Sequence, residues 1–477
     1  MTSFIAELSR SWLLHAALVF VALYPIFTAV IWIITSRIFA HRREGEDQSG
    51  FYDIADADLP MVTILVPAFR EELGIDATLA VLHDVDYPNY EVVVVDDGSN
   101  DATSQIALGH VASDPRFRLV IKEANEGKAM AMNDALVLVN GEIVVVVDAD
   151  ASLHRDALRP LVAHFVRLPR VAAVTGNPRV SNRTTLLAEL QTLEFTSIVS
   201  LLRRSQVVWG RILTVSGVVS AFRLSALRDI GLFDPSMATE DIDVSWRLQR
   251  KFYDVRYEPR ALVEMTVPST MRGLWHQRRR WSLGLVQVVR RHRGILAHWR
   301  NRRHWPVIVE AALSVIWAHV FIALLAFWCL CIIVQVPPPG ASPFPNTWGI
   351  LVSLVAIVQL ASGVRLDARY DPSVKYSFWL APAYPIGYWL IMSLVTVRST
   401  IPGLVVRQPR VARWSSTREP PKRHDTAPRP QRERFERDSD RAAVPRAQTL
   451  GSLAVPGPID ELRPLADASE SRNSVAP

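Results

Sequence analysis

The chain has 477 residues, of which 49% are hydrophobic, and its formal net charge is +6. Because the hydrophobic residues are concentrated in long blocks, with much of the basic charge beside them at 272–304 and 407–436, the composition favours contact with an anionic lipid bilayer over binding of nucleic acid. The two cysteines, Cys329 and Cys331, fit neither a disulfide framework nor a zinc site.

The first apolar segment, 12–39, is long enough to cross a bilayer, which takes about 20 apolar residues in a helix. It is too long for a signal-peptide core and lacks a clear cleavage site, so we predict an uncleaved membrane anchor at 1–44. Because His41-Arg42-Arg43 follows at once, the positive-inside rule places the next segment in the cytoplasm.

Short apolar runs alternate with helical patterns between 58 and 268, which predicts βαβ units and an α/β domain built on a mostly parallel sheet with flanking helices. Continuous apolar strands are typical of a sheet that is buried on both faces. Ligands of such sheets bind beyond the carboxyl ends of the strands, where Pro67, Asp96-Asp97 and Asp148–Asp150 are placed. The predicted strands are Val62–Val66, Val92–Val95, Leu119–Ile121, Ile143–Val147 and Val171–Val174, and the predicted helices lie near 72–84, 101–112, 127–139 and 156–167.

Neither G-x-x-x-x-G-K-[ST] nor G-x-G-x-x-G occurs, which disfavours a kinase or a dinucleotide dehydrogenase. A bound nucleotide therefore needs other contacts. Asp96-Asp97 end a four-valine strand, where two carboxylates can hydrogen-bond a base or a ribose; a tight turn and a helix N-cap explain only the residues that follow them. Lys128 opens a helix on the same edge and can reach a diphosphate, although an ordinary solvated lysine explains it equally well.

Asp148-Ala149-Asp150 follows the run Ile143–Val147. In an extended chain the side chains of residues i and i+2 point the same way, so both carboxylates face one spot. Mg²⁺ usually binds one or two carboxylates together with substrate phosphates. An acidic turn at a strand end is the alternative, and the position at the sheet edge favours the metal site.

Thr239-Glu240-Asp241 begins a helical run. Acidic residues are favourable in a first helical turn in any protein, because the helix dipole is positive there. The functional interpretation makes Asp241 a general base that removes a proton from an acceptor hydroxyl.

Gln277, Arg280 and Trp281 are spaced i, i+3 and i+4, which puts them on one face of a helix. The indole of Trp281 offers a flat face to a sugar ring, and the guanidinium of Arg280 suits a phosphate. The surrounding region, 269–304, also fits a basic amphipathic helix on the membrane surface, and the two interpretations are compatible.

A C-terminal membrane region is predicted at 305–402, with three apolar segments. If these and the anchor all cross, the basic tail ends outside the cell, against the positive-inside rule. Either one segment is re-entrant or interfacial, or the tail is an exception; Pro382 and Pro385 make the last segment the weakest simple span. The segments are 307–334, 348–364 and 377–399.

The tail, 408–477, is rich in Pro, Arg, Asp and Ser and has no hydrophobic periodicity. Segments of this kind cannot bury enough apolar surface to offset the entropy of ordering the chain. We therefore predict that the tail is disordered.

Together the motifs resemble those of the processive family-2 glycosyltransferases, which include synthases of cellulose, chitin, hyaluronan and poly-N-acetylglucosamine. Within that family, the segments 174–179, 214–219 and 239–246 are similar to the poly-β-1,6-N-acetylglucosamine synthases of bacterial biofilms. The likeness extends over about 15–407. Ser282-Leu283 stand where the resembling synthases carry Ala-Gln, which leaves the acceptor open.

The resemblance implies a GT-A fold, a UDP-sugar donor, a polysaccharide acceptor and a Mg²⁺ or Mn²⁺ ion. It also implies a role for each motif. These are the donor-binding residues Pro67, Glu71, Asp96, Asp97, Lys128 and Asp148, the metal ligands Asp148 and Asp150, the base Asp241, and the acceptor and diphosphate contacts Glu240, Gln277, Arg280 and Trp281.

The function expected from the resemblance is transfer of N-acetylglucosamine from UDP-N-acetylglucosamine to a growing β-linked polysaccharide, coupled to export. The enzyme is expected in the bacterial inner membrane as a multi-pass protein with a cytoplasmic catalytic domain. One alternative is a non-processive transferase that acts on a polyprenyl phosphate or another lipid. A second is a catalytically idle membrane sensor of nucleotides, and the need for a small membrane accessory subunit stays open.

Overall fold

The computed structural model describes residues 11–45, 49–336, 347–405, 412 and 448–449. The start of the predicted anchor lies outside these residues. So does the predicted disordered tail, 408–477, apart from Ala412 and Gln448–Thr449.

A nine-stranded sheet forms the centre of the block that follows the first helix. Five of its neighbouring strand pairs are parallel and three are antiparallel, so the predicted mostly parallel α/β sheet is confirmed. The spatial order is β5-β8-β6-β7-β4-β1-β2-β3-β9. The strands are β1 (Val62–Ala68), β2 (Tyr90–Asp96), β3 (Phe117–Ile121), β4 (Ile143–Val147), β5 (Ala151–Leu153), β6 (Val171–Val180), β7 (Val219–Arg223), β8 (Asp254–Met265) and β9 (Gln448–Thr449).

All five predicted strands are present, whereas β5, β7, β8 and β9 were missed; β9 pairs with β3 and lies in the tail that was predicted to be disordered. The strand β5 has three residues, too few to give a pattern. The strand β8 contains Pro259 and pairs with β6 through two register shifts, so its burial does not alternate regularly. Proline and bulges of this kind hide a strand from pattern analysis because they interrupt the two-residue period.

Helices cover both faces of the sheet, and β1, β2 and β4 are buried along their whole length. The four predicted helices are present with slightly shorter bounds. In chain order the helices are α1 (Trp12–Arg43), α2 (Ser49–Tyr52), α3 (Ile75–Leu82), α4 (Thr103–Ser113), α5 (Lys128–Ala135), α6 (Leu158–Arg167), α7 (Leu186–Glu194), α8 (Ser200–Trp209), α9 (Leu224–Asp229), α10 (Glu240–Arg250), α11 (Met271–Arg291), α12 (Trp305–Ile333), α13 (Thr347–Asp367) and α14 (Trp389–Val405). Short 3₁₀ turns occupy Asp56–Asp58, Arg293–Ala297, Trp299–His304 and Pro372–Leu380, and π-turns occupy Phe195–Val199 and Tyr384–Tyr388.

Four helices in the described part of the chain are long and apolar enough to cross a membrane: Trp12–Arg43, Trp299–Ile333, Gly349–Asp367 and Tyr384–Val405. The first three coincide with predicted segments. The fourth is displaced from the predicted 377–399, since α14 begins only at Trp389. Prolines lack the backbone N–H that an α-helix needs, and Pro382 and Pro385 lie in the irregular stretch that precedes α14.

A buried ionic network joins α1, α8 and α13 to the sheet. The guanidinium of Arg204 lies 2.6 Å from Glu44 and 2.7 Å from Asp367, and none of these three side chains is exposed. Asp367 also lies 2.8 Å from Arg179 at the end of β6. The network thus fixes the end of two apolar helices against the sheet.

Candidate active site

Four charged side chains from three separate segments meet beyond the carboxyl end of β4. Lys128, the first residue of α5, places its Nζ 2.5 Å from Asp148 Oδ1 and 3.6 Å from Glu240 Oε1. The same Nζ donates to the carbonyl of Gly217 at 3.1 Å. A Cβ added to Gly217 would lie 3.6 Å from Asp241 Oδ2 and 3.8 Å from Lys128 Nζ, so the absence of a side chain there leaves the acid and the lysine open to each other.

Asp241 is a carboxylate whose affinity for protons is unusually high. Burial raises its pKa to about 6, and the neighbouring Glu240 acts in the same direction. Lys128 and Arg280 oppose the shift, as does the backbone N–H of Ile242, which donates to Asp241 Oδ1 at 2.9 Å. A carboxylate whose pKa is raised towards neutral pH suits general-base chemistry.

Asp148 and Asp150 differ in their surroundings. Asp148 is held by Lys128, while Asp150 Oδ2 accepts a hydrogen bond from Thr266 at 3.2 Å. Both side chains are half-buried. Two oxygen donors on one turn fit a hard divalent cation that takes its other ligands from phosphate and water. Among the described residues, no group of three or more His, Cys, Asp or Glu side chains forms a closed metal site.

Asp96 and Asp97 are fully buried and point into the loops that surround the strand end. Asp96 accepts hydrogen bonds from the N–H of Ser99, at 3.0 Å, and from the hydroxyl of Ser104. Asp97 accepts from the N–H groups of Glu126 and Gly127, at 3.0 and 2.7 Å. Burial raises the pKa of Asp97, and these N–H groups and Lys122 oppose the shift. Both carboxylates therefore stabilise the loops around the carboxyl end of β2, which form the rim of the site.

The rim beside Asp96 is also held from the β1 side. Pro67 lies in β1, and the residues after that strand bond to the turn after β2: Arg70 N–H donates to Ser99 at 2.8 Å, and Glu71 N–H donates to Thr103 at 2.9 Å. Gly98 has φ +72°, and an added Cβ would lie 2.8 Å from the backbone of Ala124. Only glycine fits this turn, because L-residues avoid positive φ and the space is filled.

The helix α11 lies over the same site. Arg280 is exposed and acts on the charge of Asp241, and Trp281 packs against the apolar cluster that contains Met265 and Val267. Because Thr266, between those two residues, binds Asp150, the aromatic platform and the candidate metal ligand share one segment of chain. Gln277 carries a buried Oε1 without a hydrogen-bond partner.

The close packing of α11 against Thr239 depends on Gly284. A Cβ added there would lie 2.2 Å from Thr239 Oγ1 and 2.4 Å from Thr239 Cγ2. The helix that carries Arg280 and Trp281 therefore touches the residue that precedes Glu240-Asp241. This contact joins the Gln277–Trp281 motif to Thr239-Glu240-Asp241. The ion pairs of Lys128 join Glu240 to Asp148.

Sequence analysis missed two arginines near the site. Arg278, between Gln277 and Arg280, is fully buried, pairs with Glu194, and lies 4.0 Å from the centre of the Trp281 ring. Arg203 on α8 is 7% exposed, donates to the carbonyl of Gly176 at 3.3 Å, and has an Nε without a partner. Burial lowers the pKa of Arg203, and Tyr257 and Asp241 act in the opposite direction. Both arginines lie among other basic and polar residues in the sequence, which made them look like part of an exposed helix face, and only the run Arg278-Arg279-Arg280 offered a signal.

Comparison with known proteins adds to this geometry. Residues 60–284 match the family model described as glycosyltransferase like family 2. The chain is 30% identical to a poly-β-1,6-N-acetyl-D-glucosamine synthase of Staphylococcus epidermidis over 404 residues, which is 83% of this chain and 97% of the relative. It is 31% identical to the protein of the same name in Staphylococcus aureus strain COL over 402 residues, again 83% and 97%.

A solved structure gives the same fold. A mannosyltransferase from Pyrobaculum calidifontis in complex with GDP-Man and Mn²⁺ superposes with a TM-score of 0.59, at 23% sequence identity, over 82% of this chain and 99% of that one. The predicted GT-A architecture is thus confirmed. With the sequence relatives, it shows that the chain belongs to glycosyltransferase family 2 and is a glycosyltransferase.

Proposed function

We propose that this glycosyltransferase moves N-acetylglucosamine from UDP-N-acetylglucosamine to the end of a growing β-linked polysaccharide, with inversion at the anomeric carbon. The observation that carries the proposal is the meeting of Lys128, Asp148, Glu240 and Asp241, with Arg280 acting on the same acid. The names of the staphylococcal relatives support N-acetylglucosamine as the sugar.

In the proposed reaction, Asp241 accepts the proton of the acceptor hydroxyl. The acceptor oxygen forms a bond to the anomeric carbon as the bond from that carbon to the diphosphate oxygen breaks, and UDP leaves with the electron pair. Lys128 and Arg280 are cations beside this point and stabilise the negative charge that develops on the leaving diphosphate. Asp96 and Asp97, with Pro67 and Glu71, shape the rim that receives the uridine.

The residues fit a divalent cation, Mg²⁺ or Mn²⁺, held by Asp150 with Asp148. Such an ion, when bound, would neutralise charge on the diphosphate. Both carboxylates are proposed ligands, so we expect Asp148→Asn and Asp150→Asn each to raise the metal concentration needed for activity.

The product end is proposed to rest on Trp281 and to remain bound between additions. Aromatic and unsatisfied polar groups lie together under this residue: Phe195 packs edge-on to Trp281 at 6.3 Å, and Gln277 Oε1 and two nitrogens of Arg278 are buried without partners. Buried polar atoms without partners are rare in native proteins, and a hydroxyl-rich chain passing beside Trp281 would offer a donor to Gln277 Oε1. This supports processive addition coupled to export.

We further propose that the catalytic domain faces the cytoplasm of a bacterial inner membrane. The apolar helices and the basic residues in the last turn of α1 support this location. A cytoplasmic domain meets the UDP-sugar pool directly.

The test is synthesis by membranes that contain the protein, supplied with a panel of labelled UDP-sugars and Mg²⁺ or Mn²⁺, followed by sizing of the product. We expect long polymer from UDP-N-acetylglucosamine alone. A product one sugar long, attached to lipid, would favour the polyprenyl-phosphate alternative. UDP binding without any transfer would favour an idle sensor.

A further inference from the structure

Arg278 on α11 is a fully buried cation that lies against the indole of Trp281. Its guanidinium carbon is 4.0 Å from the centre of the ring, which is too close for an approach from the ring edge, so the cation covers a flat face. Phe195 approaches the same indole edge-on, with the ring centres 6.3 Å apart. Trp281 is thus held from inside the protein, and its side chain stays only half-buried.

The position of Arg278 is fixed by one shared carboxylate. Arg278 Nη2 donates to Glu194 Oε2 at 2.5 Å, and the hydroxyl of Tyr388 donates to the same oxygen at 2.6 Å. Glu194 is the last residue of α7, and Tyr388 directly precedes α14. Because all three side chains are buried, these contacts are electrostatically strong and keep the cation in place over the ring.

Two π-turns occur in the described part of the chain, and both lie at this carboxylate. Phe195–Val199 begins directly after Glu194, and Tyr384–Tyr388 ends at the tyrosine that binds it. Turns of this kind are rare in proteins and are found frequently at functional sites. Their meeting at Glu194 is an indication of function that does not depend on the ring contact.

A tie between helices does not by itself account for an arginine at this position. Arg278 Nε and Nη1 are buried without hydrogen-bond partners. Apolar residues of similar volume often replace a buried ion pair with no loss of stability, so packing alone does not require the charge. A guanidinium is planar and stacks on aromatic faces, and a desolvated cation over an indole is attracted by the π-electrons of the ring. The residue type therefore suits the holding of Trp281.

Resting on the acceptor role proposed above for Trp281, we infer that Arg278 is a positioning residue of the transfer reaction. It holds the indole from its covered face, so that the exposed part of the ring stays in place for the terminal sugar of the acceptor. It acts through Trp281 and does not touch the reacting atoms. Glu194 and Tyr388 hold Arg278 in turn, so the chain that leads into α14 contributes to the acceptor platform.

The first test removes both charges together, in the double variant Arg278→Met with Glu194→Gln. It takes the cation from the indole and leaves no unpaired buried charge, so we expect folding to be retained, as measured by thermal unfolding in detergent. With N-acetylglucosamine oligosaccharides as acceptors, the acceptor KM should rise roughly tenfold and the products should be shorter, while the KM for UDP-N-acetylglucosamine stays that of the wild type. A wild-type acceptor KM and product length in the folded double variant would overturn the inference.

The single variant Arg278→Lys gives a second measurement. It keeps a cation that can pair with Glu194 but loses the planar group that stacks on the indole. We expect a severalfold rise in the acceptor KM, with an unfolding temperature near that of the wild type. An acceptor KM equal to that of the wild type would contradict the inference, however the double variant folds.

A double-mutant cycle tests whether the effect passes through Trp281. Trp281→Leu removes the ring, so adding Arg278→Met and Glu194→Gln to it should change the acceptor KM by less than about twofold, because residues that act through one contact are not additive. A further tenfold rise in that background would show that Arg278 acts by another route and would reject its role in positioning the indole.

Arg183→Met with Asp371→Asn is the matched control. This ion pair also ties the chain that leads into α14 to the catalytic domain, but through the residues after β6. Asparagine keeps the oxygen that Asp371 offers to the N–H of Ser373. We expect a wild-type acceptor KM in the control, and an equal rise in both double variants would assign the effect to loosening of that chain and overturn the inference.

The wild-type protein separates the two levels of the proposal. Failure of the wild type to elongate the oligosaccharides would overturn the proposed function, and the inference with it. Elongation by the wild type, with no change in the Arg278→Met, Glu194→Gln variant, would overturn the inference alone.

Discussion

At the scale of single residues, the site depends on the balance of charge around Asp241. Burial and Glu240 raise its pKa, and Lys128 and Arg280 lower it. A general base works only when it is deprotonated, so activity should fall as the pH drops through about 6. The position of the acid limb in the pH–rate profile should therefore depend on the charges of Glu240, Lys128 and Arg280.

We expect Glu240→Gln to lower the pKa of Asp241 and to move the acid limb to lower pH, by about one unit. Lys128→Met should move the limb the other way, because it removes a cation that stabilises the carboxylate. The measurement is kcat/KM against pH with saturating metal ion. Limbs that coincide in both variants and the wild type would assign the titration to another group.

Arg203 should influence the same limb, although it lies on α8, far from the motifs in sequence. Arg203→Gln removes a buried cation that interacts with Asp241, so we expect the limb to shift to higher pH. Arg211→Gln is the matched control, because Arg211 is also buried, also donates to a carbonyl, and faces Asp254 at 3.7 Å instead of Asp241. Equal shifts in the two variants would show a general effect on folding rather than on the base.

Residue types and positions could be predicted from the sequence better than the contacts between them. Asp148 and Asp150 could be proposed as site residues because they follow an apolar strand at the edge where ligands of a parallel sheet bind, and Asp241 because it lies in a motif of the resembling family. Arg203 did not, because nothing in its local pattern separates a buried arginine from a basic helix surface. The placement of Arg203 comes from the contact of α8 with β6, where it donates to the carbonyl of Gly176, and this is a tertiary contact.

At the scale of elements, the proposed reaction requires α11, which carries Arg280 and Trp281, to stay packed against the loop before α10, which leads to Asp241. Gly284→Ala brings a methyl group 2.2 Å from Thr239 Oγ1, so helix or loop must move. A displacement of about 1 Å in an active site can cost roughly 10²-fold in rate. We expect such a loss in turnover with folding retained, as judged by thermal unfolding in detergent.

Gly294→Ala is the control for that substitution. It lies just beyond the same helix, and an added Cβ meets no atom within 4 Å. Wild-type turnover in Gly284→Ala would mean that the packing of α11 on Thr239 does not govern catalysis.

Strands and helices with a regular hydrophobic period could be predicted from the sequence. Those whose form depends on tertiary contacts could not. The strand-helix alternation from β1 to β4 follows from apolar runs and turn residues in the sequence. The strands β7 and β8 escaped because antiparallel pairing at the middle and far side of the sheet, a proline and two register shifts obscure their patterns. The start of α14 was misplaced because hydropathy continues through Pro382 and Pro385, which lie before the regular α-helix begins at Trp389.

At the scale of the whole molecule, the Arg204 network ties the membrane helices to the catalytic domain. Arg204→Met leaves the buried Glu44 without its nearest cation and leaves Asp367 with Arg179 alone. Removing one partner of a buried ion pair typically costs about 3–5 kcal/mol. We expect a loss of unfolding free energy of that size, measured by denaturation in lipid nanodiscs.

Arg369→Gln provides the comparison. Its guanidinium lies 3.4 Å from the same Glu44 but is 44% exposed, so its loss should cost only about 0–1 kcal/mol. Equal destabilisation by the two variants would show that burial does not set the strength of this network.

The most direct test of the account is turnover by Asp241→Asn with UDP-N-acetylglucosamine as donor, beside a measurement of donor binding. Substitution of the base should reduce turnover by about 10²–10⁴-fold while UDP-N-acetylglucosamine binds as it does to the wild type. Turnover equal to that of the wild type would show that Asp241 is not the base and that the convergence around Lys128 serves another purpose.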